Sequence, residues 1–196
     1  MLLSLRGIDK RFFGVHALRG VDFDLRSREV HALVGENGAG KSTLIKIIAG
    51  AEQPDEGEIL VDAERTTIGS TQDAFRLGIA TVYQEPQIFP DLSVTENIFL
   101  GRELRDRPGN VDWAAERRRV RELLSELQLD PRLAGRRMGD LSLAEQQLVL
   151  ICKALAQEAR LIIYDEPSAI LTQRETDTLF AVIRRLKERG AEKIYI

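Results

Sequence analysis

The eight residues GENGAGKS, from Gly35 to Ser42, restrict the possible folds of this chain more than any other stretch. They fit the pattern G-x-x-x-x-G-K-[ST]. The run EVHALVG, which ends in the first glycine of the motif, predicts a buried strand, and KSTLIKIIAG, which begins within the motif, has spacing that predicts a helix ending at Gly50. Glycines between a strand and a helix let the backbone wrap around phosphate groups. The sequence therefore predicts a phosphate-binding loop (P-loop).

Each position of this loop has a predicted role. Lys41 supplies a cation near the β- and γ-phosphates, and Ser42 offers its hydroxyl to Mg²⁺. Backbone amides of the loop and of the helix N-terminus point inward as donors. The predicted nucleotide-binding residues are Gly35, Glu36, Asn37, Gly38, Ala39, Gly40, Lys41, Ser42 and Thr43.

A second anchor follows much later in the chain, in the segment LIIYDEP. Four apolar residues predict a buried strand, and Asp165 and Glu166 come directly after it. A carboxylate at the end of such a strand can reach a metal ion beside the P-loop, so Asp165 is a predicted metal ligand. Glu166 is predicted to polarise the attacking water. Together with the P-loop, this pair predicts nucleotide hydrolysis.

Length and composition limit the alternatives. The 196 residues suit one domain, or one domain with an inserted lobe, and the net charge of −3 argues against a nucleic-acid binder. Cys152 is the only cysteine, so no internal disulfide forms, and its apolar helical surroundings predict a buried thiol. Since no apolar run approaches the ~20 residues of a membrane span, any membrane role requires a partner.

The remaining pattern alternates strands and helices. LSLRGIDKRF, VDFDL, GEIL, GIATVY and KIYI predict strands, and RETDTLFAVIRRLKERG predicts a helix closed by Gly190. From about residue 91 to residue 157 the pattern is helical. There Asp112 is predicted to cap a helix with this apolar face: Trp113, Val120, Leu123, Leu124 and Leu127. We expect a core of residues 1–90 and 158–196 with an inserted lobe at 91–157, and a solvated arginine run at 117–121.

The segment DLSLAEQQLVL contains a second local signal. Ser142 followed by Glu145 fits the capping-box pattern S-x-x-E, so a helix is predicted to begin there and to continue through Leu148, Ile151, Cys152 and Leu155. We expect the carboxylate of Glu145 to fold back on its own cap instead of facing a phosphate.

Taken in order, the P-loop, VYQEP, LSLAEQQ and YDEPSAILT resemble the motifs of an ABC transporter nucleotide-binding domain over essentially the whole chain. The resemblance implies an α/β P-loop NTPase fold, with a mostly parallel central sheet, an antiparallel β subdomain near the N-terminus and an inserted helical lobe. It implies ATP and Mg²⁺ as cofactors. Gln84 would touch Mg²⁺ and the catalytic water. The signature loop, which would act on the ATP of a second domain, is Ser142, Leu143, Ala144 and Glu145.

The resemblance also implies an aromatic residue that stacks on adenine. Phe13 occupies that place in RFFGV, and Phe12 is the alternative. The Asn-Lys-x-Asp motif with which Ras-type GTPases read guanine does not occur in this sequence, so ATP is favoured.

The stretches FPDLSVTENIFLGRE and DEPSAILTQRE are similar to those of monosaccharide importers of the ribose, galactose or xylose type, with nucleoside importers close behind. This implies a peripheral ATPase on the cytoplasmic side of the membrane. Its partners would be a second nucleotide-binding domain in the same polypeptide, transmembrane permease subunits and, indirectly, a solute-binding protein; no nucleic acid is expected. Thr172, where the wider family has aspartate, fits this branch.

Two expectations concern the limits of the chain. It ends at Ile196, before the place of the family's switch histidine, and neither His16 nor His31 matches that histidine. We therefore expect the 196 residues alone to bind ATP with Mg²⁺ and to hydrolyse it slowly. The alternatives are an ABC ATPase of DNA repair or translation, and a nucleotide-binding module without turnover.

Overall fold

The computed structural model describes residues 2–27, 29–36, 38–82, 87–107, 109–164 and 172–188. The chain forms two compact units. The first contains Met1–Thr81 and the segment that begins at Ala159, and the second contains Val82–Glu158 and most of the last helix.

The strands of the structure are β1 (Leu3–Phe12), β2 (Val15–Leu25), β3 (Glu56–Val61), β4 (Glu64–Thr66), β5 (Ile79–Val82) and β6 (Leu161–Tyr164). The helices are α1 (Lys41–Ile48), α2 (Thr71–Arg76), α3 (Val94–Phe99), α4 (Trp113–Glu126), α5 (Leu143–Ala156) and α6 (Gln173–Glu188). Short 3-10 turns occur at Pro131–Gly135 and Met138–Asp140.

An antiparallel sheet forms the N-terminal part of the first unit. Its strand order is β2-β1-β3-β4, with β1 paired to β2 on one side and to β3 on the other. Leu3, Leu5 and Ile8 of β1 are buried. The strands predicted from LSLRGIDKRF, VDFDL and GEIL are confirmed, and so is the antiparallel β subdomain.

Helix α1 ends as predicted, at a glycine. Gly50 has φ +72°, its N–H donates to the carbonyl of Ile47, and the next amide, Ala51, donates to Lys46. This pair of bonds is a Schellman motif, which satisfies the last carbonyls of a helix and requires a left-handed residue. A Cβ on Gly50 would lie 2.2 Å from the carbonyl oxygen of Ser70, so a larger residue does not fit.

The strand predicted from EVHALV is wrong for this structure. Residues 29–36 belong to no strand, and Val34 is 88% exposed. An apolar run becomes a buried strand only where neighbouring strands supply hydrogen bonds and cover. Among the described residues, none supplies a hydrogen-bond ladder to this segment. His31 accordingly lies outside a strand, with its ring edge-on to Phe23 at a centroid distance of 4.9 Å.

The strands predicted from GIATVY and from the four apolar residues of LIIYDEP do form. β5 and β6 make a second, two-stranded sheet, and all four residues of β6 are buried. The core of the first unit joins residues of both sheets and α1, including Leu5, Ile48, Ile79 and Ile163.

The second unit is built from helices. Asp112 caps α4 as predicted, since its carboxylate accepts the N–H of Ala115 at 2.8 Å. Val120, Leu123, Leu124 and Leu127 are buried, but Trp113 is 53% exposed, so its placement in the apolar face was wrong. Trp113 is the first residue of the helix; helical spacing sets the direction of its side chain, but the described elements leave that side chain exposed. The arginines of the run at 117–121 are exposed, and Cys152 is buried, as expected.

Helix α6 matches the helix predicted from RETDTLFAVIRRLKERG, with Leu179, Val182 and Ile183 buried. Gly190 and the strand predicted from KIYI lie outside the described residues. No helix in the described part of the chain has both the length and the apolar character to cross a bilayer.

Candidate nucleotide-binding site

The predicted phosphate loop has the backbone conformation that its glycines allow. Gly38 and Gly40 have φ of +85° and +88°, in the left-handed region. A Cβ on Gly40 would lie 2.7 Å from the carbonyl oxygen of Ala17 and 2.7 Å from Leu18 Cδ2. Gly40 therefore seats the end of the loop directly against β2. Sequence reasoning predicted the glycine but not this contact, because its partner lies far away in the chain.

Lys41 crosses the loop that precedes it. Its ammonium group donates to the carbonyl oxygen of Gly35 at 2.6 Å and to that of Glu36 at 3.0 Å. The Ala39 amide donates to the Glu36 carbonyl at 3.1 Å, which closes the turn. The charge of Lys41 is thus held at the mouth of the loop by two neutral acceptors, which an anionic ligand can replace.

The N-terminus of α1 has the properties of an anion site. No side chain caps it, and its first turn contains no acidic residue. The first intrahelical bond is donated by Leu44 to Gly40, and the amides of Lys41, Ser42 and Thr43 have no acceptor among the described residues. These amides and the helix dipole attract negative charge. The Ser42 side chain is exposed beside them. The loop therefore fits a phosphate chain.

The aromatic residue predicted to contact the base lies at the tip of the β1–β2 hairpin. Phe12 and Val15 pair directly, so Phe13 and Gly14 form a two-residue turn with φ of +39° and +89°. Such turns require positive φ, which is unfavourable for an aromatic residue. The Phe13 ring is fully exposed, whereas Phe12 is half-buried with Lys10 Nζ 5.2 Å from its ring centroid. Of the two candidates, Phe13 is the accessible ring.

The start of α5 forms the expected capping box. The Glu145 amide donates to Ser142 Oγ at 3.3 Å, and the Ser142 amide donates to Glu145 Oε2 at 2.8 Å. The carboxylate of Glu145 thus folds back on its own cap, as predicted. Ser142 and Leu143 are exposed, whereas the Ala144 side chain is buried.

Sequence reasoning missed the role of Gln146 at this helix start. Its side chain is buried, and its amide group donates to the carbonyls of Leu141 at 3.1 Å and Met138 at 3.3 Å. These bonds tie the preceding turn to the first turn of α5 and fix the backbone before Ser142. A polar residue on the apolar side of the helix was the available signal.

Four predicted site residues lie outside the described residues: Asn37, Gln84, Asp165 and Glu166. Strand β6 is described as far as Tyr164, the residue before Asp165. In the described part of the chain, no group of three or more histidine, cysteine or acidic side chains could hold a metal ion.

A P-loop at the start of a helix, in a chain that also contains an antiparallel β subdomain and a helical unit, defines a P-loop nucleotide-binding domain. A sequence profile of the family described as "ABC transporter" matches residues 18–169. The chain therefore belongs to the ABC transporter family.

Solved structures agree on the fold. An ATP-binding cassette of an ABC transporter, MJ1267 in its ADP conformation, superposes with a TM-score of 0.85 at 28% identity, covering 100% of this chain and 80% of that one. The protein cbiO1 of Clostridium perfringens, part of the ABC transporter complex cbiONQ, gives a TM-score of 0.84 at 26% identity, with 100% and 77% covered. These similarities confirm the fold class expected from the sequence.

Curated relatives are more similar in sequence. The ribose import ATP-binding protein RbsA 1 of Rubrobacter xylanophilus is 54% identical over 197 residues, and RbsA of Chromobacterium violaceum is 48% identical over 199 residues. Both matches cover 100% of this chain but 39% of the relative. The chain thus spans well under half the length of the relatives that it matches.

Proposed function

We propose that this chain is the first ATPase domain of a longer protein that powers an ABC importer for a monosaccharide. The observation that carries the proposal is a P-loop of the right geometry in a chain 54% identical to a ribose import ATP-binding protein. The partners would be a second nucleotide-binding domain, transmembrane permease subunits and, indirectly, a solute-binding protein. The site of action would be the cytoplasmic face of the membrane.

The P-loop residues would bind the triphosphate of ATP. The Lys41 ammonium would exchange the carbonyls of Gly35 and Glu36 for the β- and γ-phosphates, a stronger charge-assisted pair. The amides of the first turn of α1 would donate to the same phosphates. Phe13 would stack on the adenine ring. Its ring is already exposed at the hairpin tip, so the contact would require no rearrangement of the core.

The catalytic roles remain those expected from the sequence. Mg²⁺, when bound, would neutralise charge on the phosphates; Ser42, Gln84 and Asp165 would hold it. Glu166 would accept a proton from the attacking water, and Gln84 would orient that water.

The signature loop would complete the ATP site of the partner domain. Ser142 uses its Oγ as an acceptor for the Glu145 amide, which leaves the hydroxyl proton free to be donated to a γ-phosphate. The Glu145 carboxylate accepts the Ser142 N–H at 2.8 Å, so it is directed at its own cap and would not need to face the phosphate. The exposed Leu143 side chain would be covered when two domains close. A dimeric arrangement occurs in a family member, the cassette MJ0796 bound to ADP and Pi, whose TM-score with this chain is 0.80 at 25% identity.

The proposal is tested with the full-length protein and two substitutions in this chain. Lys41→Ala should abolish high-affinity ATP binding, whereas Glu166→Gln should retain ATP binding and strongly slow hydrolysis. Radiolabelled ribose uptake in a cell that depends on this protein should be lost with either variant. If Glu166→Gln destroyed ATP binding, the assigned role of Glu166 would be wrong.

The sugar-uptake measurement distinguishes the proposed transport function from its alternatives. ATP hydrolysis without any sugar dependence, and growth on sugars unaffected by Lys41→Ala, would favour a non-transport ABC ATPase. Binding without hydrolysis in the full-length protein would favour a nucleotide-binding module.

A further inference from the structure

The hairpin that carries Phe13 is anchored on one side by a carboxylate from a different part of the chain. Asp55 Oδ2 accepts the backbone N–H of Arg11 at 2.7 Å, and Oδ1 accepts from Lys10 Nζ at 3.2 Å. The Asp55 amide also donates to the carbonyl oxygen of Asp9 at 2.8 Å. One residue thus makes three bonds to three consecutive positions of β1, immediately before the turn at Phe13.

Asp55 lies at the end of a short connection from the phosphate-binding helix. Helix α1 begins at Lys41 and closes at Gly50, and Asp55 follows only five residues later, at the entry to β3. Its bonds to β1 therefore connect the segment that follows α1 to the last residues of β1, called here the hairpin arm because they lead into the turn at Phe13. At the near end of α1, Gly40 contacts Ala17 on β2. The segments on both sides of α1, Gly40 before it and Asp55 after it, thus lie against strands of the hairpin.

The anchored part of β1 is irregular, although Lys10 and Arg11 still pair with residues of β2. The register of β1 with β2 shifts between Ile8 and Lys10 and again between Lys10 and Arg11. Bulges of this kind leave backbone groups without ladder partners. On the β3 side the pairing ends at Asp9 and Glu56, and beyond that pair the Arg11 amide donates to the Asp55 carboxylate. The hydrogen bond from the Arg11 amide lowers the pKa of Asp55 most, and the hydrogen bond from the Lys10 ammonium lowers it further. The carboxylate therefore stays ionised at neutral pH.

We propose that Asp55 is a positioning residue for the nucleotide base: it fixes the hairpin arm so that Phe13 stands at a set place relative to the P-loop. The strain and exposure of Phe13 give the reason for such an anchor. A fully exposed aromatic ring at positive φ stabilises nothing in the fold, and a free hairpin tip would move. The inference rests on the proposed stacking of Phe13 on adenine.

A tryptophan reporter tests it in the full-length protein. Phe13→Trp places an indole at the tip, whose fluorescence should fall when ADP stacks on it in the presence of Mg²⁺. In that background, Asp55→Ala should weaken ADP binding roughly threefold to tenfold, less than the full loss of one base-stacking contact. The affinity for inorganic pyrophosphate, measured by its competition with ADP, should stay within about twofold, because the P-loop is untouched.

Asp24→Ala is the matched control. Asp24 is also a carboxylate of this sheet that accepts bonds from another strand, from Ser4 and Arg6, but it lies at the opposite end of β2. Its loss should leave both affinities unchanged. Asp55→Asn, which keeps one acceptor oxygen, should fall between Asp55→Ala and the parent, and it serves as the test variant if Asp55→Ala fails to fold.

Equal weakening of ADP and pyrophosphate by Asp55→Ala would overturn the inference, since the effect would then be on the whole site. Unchanged ADP affinity in both Asp55 variants would also overturn it, while leaving Phe13 stacking intact. No quenching of the Phe13→Trp reporter by ADP, with hydrolysis still present, would remove the base contact itself and this inference with it.

Discussion

Glu116 provides a quantitative test of the packing in the helical unit. Its side chain is fully buried on α4, where Oε1 accepts the backbone N–H of Leu104 at 2.9 Å and Oε2 has no hydrogen-bond partner among the described residues. Burial raises the pKa of Glu116. The Leu104 bond opposes that rise, and the nearby Glu103 and Asp112 add to it. The ionised carboxylate is therefore unfavourable in the folded state.

We expect Glu116→Gln to stabilise the protein at neutral pH. At the position of Oε2 the substitution replaces an unpartnered charged oxygen with an unpartnered neutral amide. An unsatisfied buried group costs about 1–3 kcal/mol when neutral and more when charged, and a bond to a charged acceptor exceeds a neutral one by about 1 kcal/mol. Gln keeps an acceptor for the Leu104 amide, so this roughly 1 kcal/mol is subtracted from the difference between the charged and the neutral penalty. The net gain is about 1 kcal/mol in the free energy of unfolding, or about 2–4 °C in Tm for a chain of this size.

The sign of the pH dependence follows from the raised pKa. The unfolded chain releases the Glu116 proton first, at an ordinary glutamate pKa of about 4.3, while the folded protein keeps it to higher pH. The contribution of Glu116 to stability is thus full below that value and is lost as pH rises through the folded pKa. Urea unfolding should show a small difference between variant and parent near pH 5 that grows towards about pH 8.

The exposed Glu122 on the same helix is the control, and Glu122→Gln should change stability by less than about 0.5 kcal/mol at both pH values. A destabilising Glu116→Gln at high pH, or a difference that does not vary with pH, would refute the reasoning.

Four further substitutions test other parts of the structure. Gly50→Ala should destabilise the protein by about 2–4 kcal/mol in urea unfolding, because φ is +72° and the new Cβ would meet the Ser70 carbonyl oxygen at 2.2 Å. Ser142→Ala and Ser93→Ala each remove a capping box and should each cost about 1 kcal/mol, but only Ser142→Ala should reduce ATP-driven closure in the full-length protein. Glu145→Gln should leave stability unchanged to within about 0.5 kcal/mol, since glutamine satisfies the same box. Much tighter ATP-driven closure in Glu145→Gln would instead mean that the carboxylate faces the phosphate.

Local rules accounted for most of what the sequence predicted correctly. The Gly50 cap, the Asp112 cap and the Ser142–Glu145 box each depend on residues within one helical turn. The P-loop depends on eight consecutive residues. Such signals survive in the fold because the interacting groups are already neighbours along the chain.

Predictions that a side chain or strand would be buried by elements far away in the chain were less successful. EVHALV has the composition of a buried strand, yet residues 29–36 lack a ladder among the described residues. Trp113 lies on the apolar side of α4 by spacing but stays exposed, while Glu116 is buried on that helix. Periodicity gives the direction of a side chain, and only the tertiary structure decides whether another element lies there.

The sequence by itself determined the family, the phosphate loop and the helix ends, because each is written in short runs of residues whose chemistry acts locally. The tertiary structure alone decided that Gly40 rests on Ala17, that Phe13 and not Phe12 is the accessible ring, and that Asp55 holds the arm beneath it. These contacts join residues far apart in the chain. Their energies depend on distances in space, which cannot be read from the order of the residues.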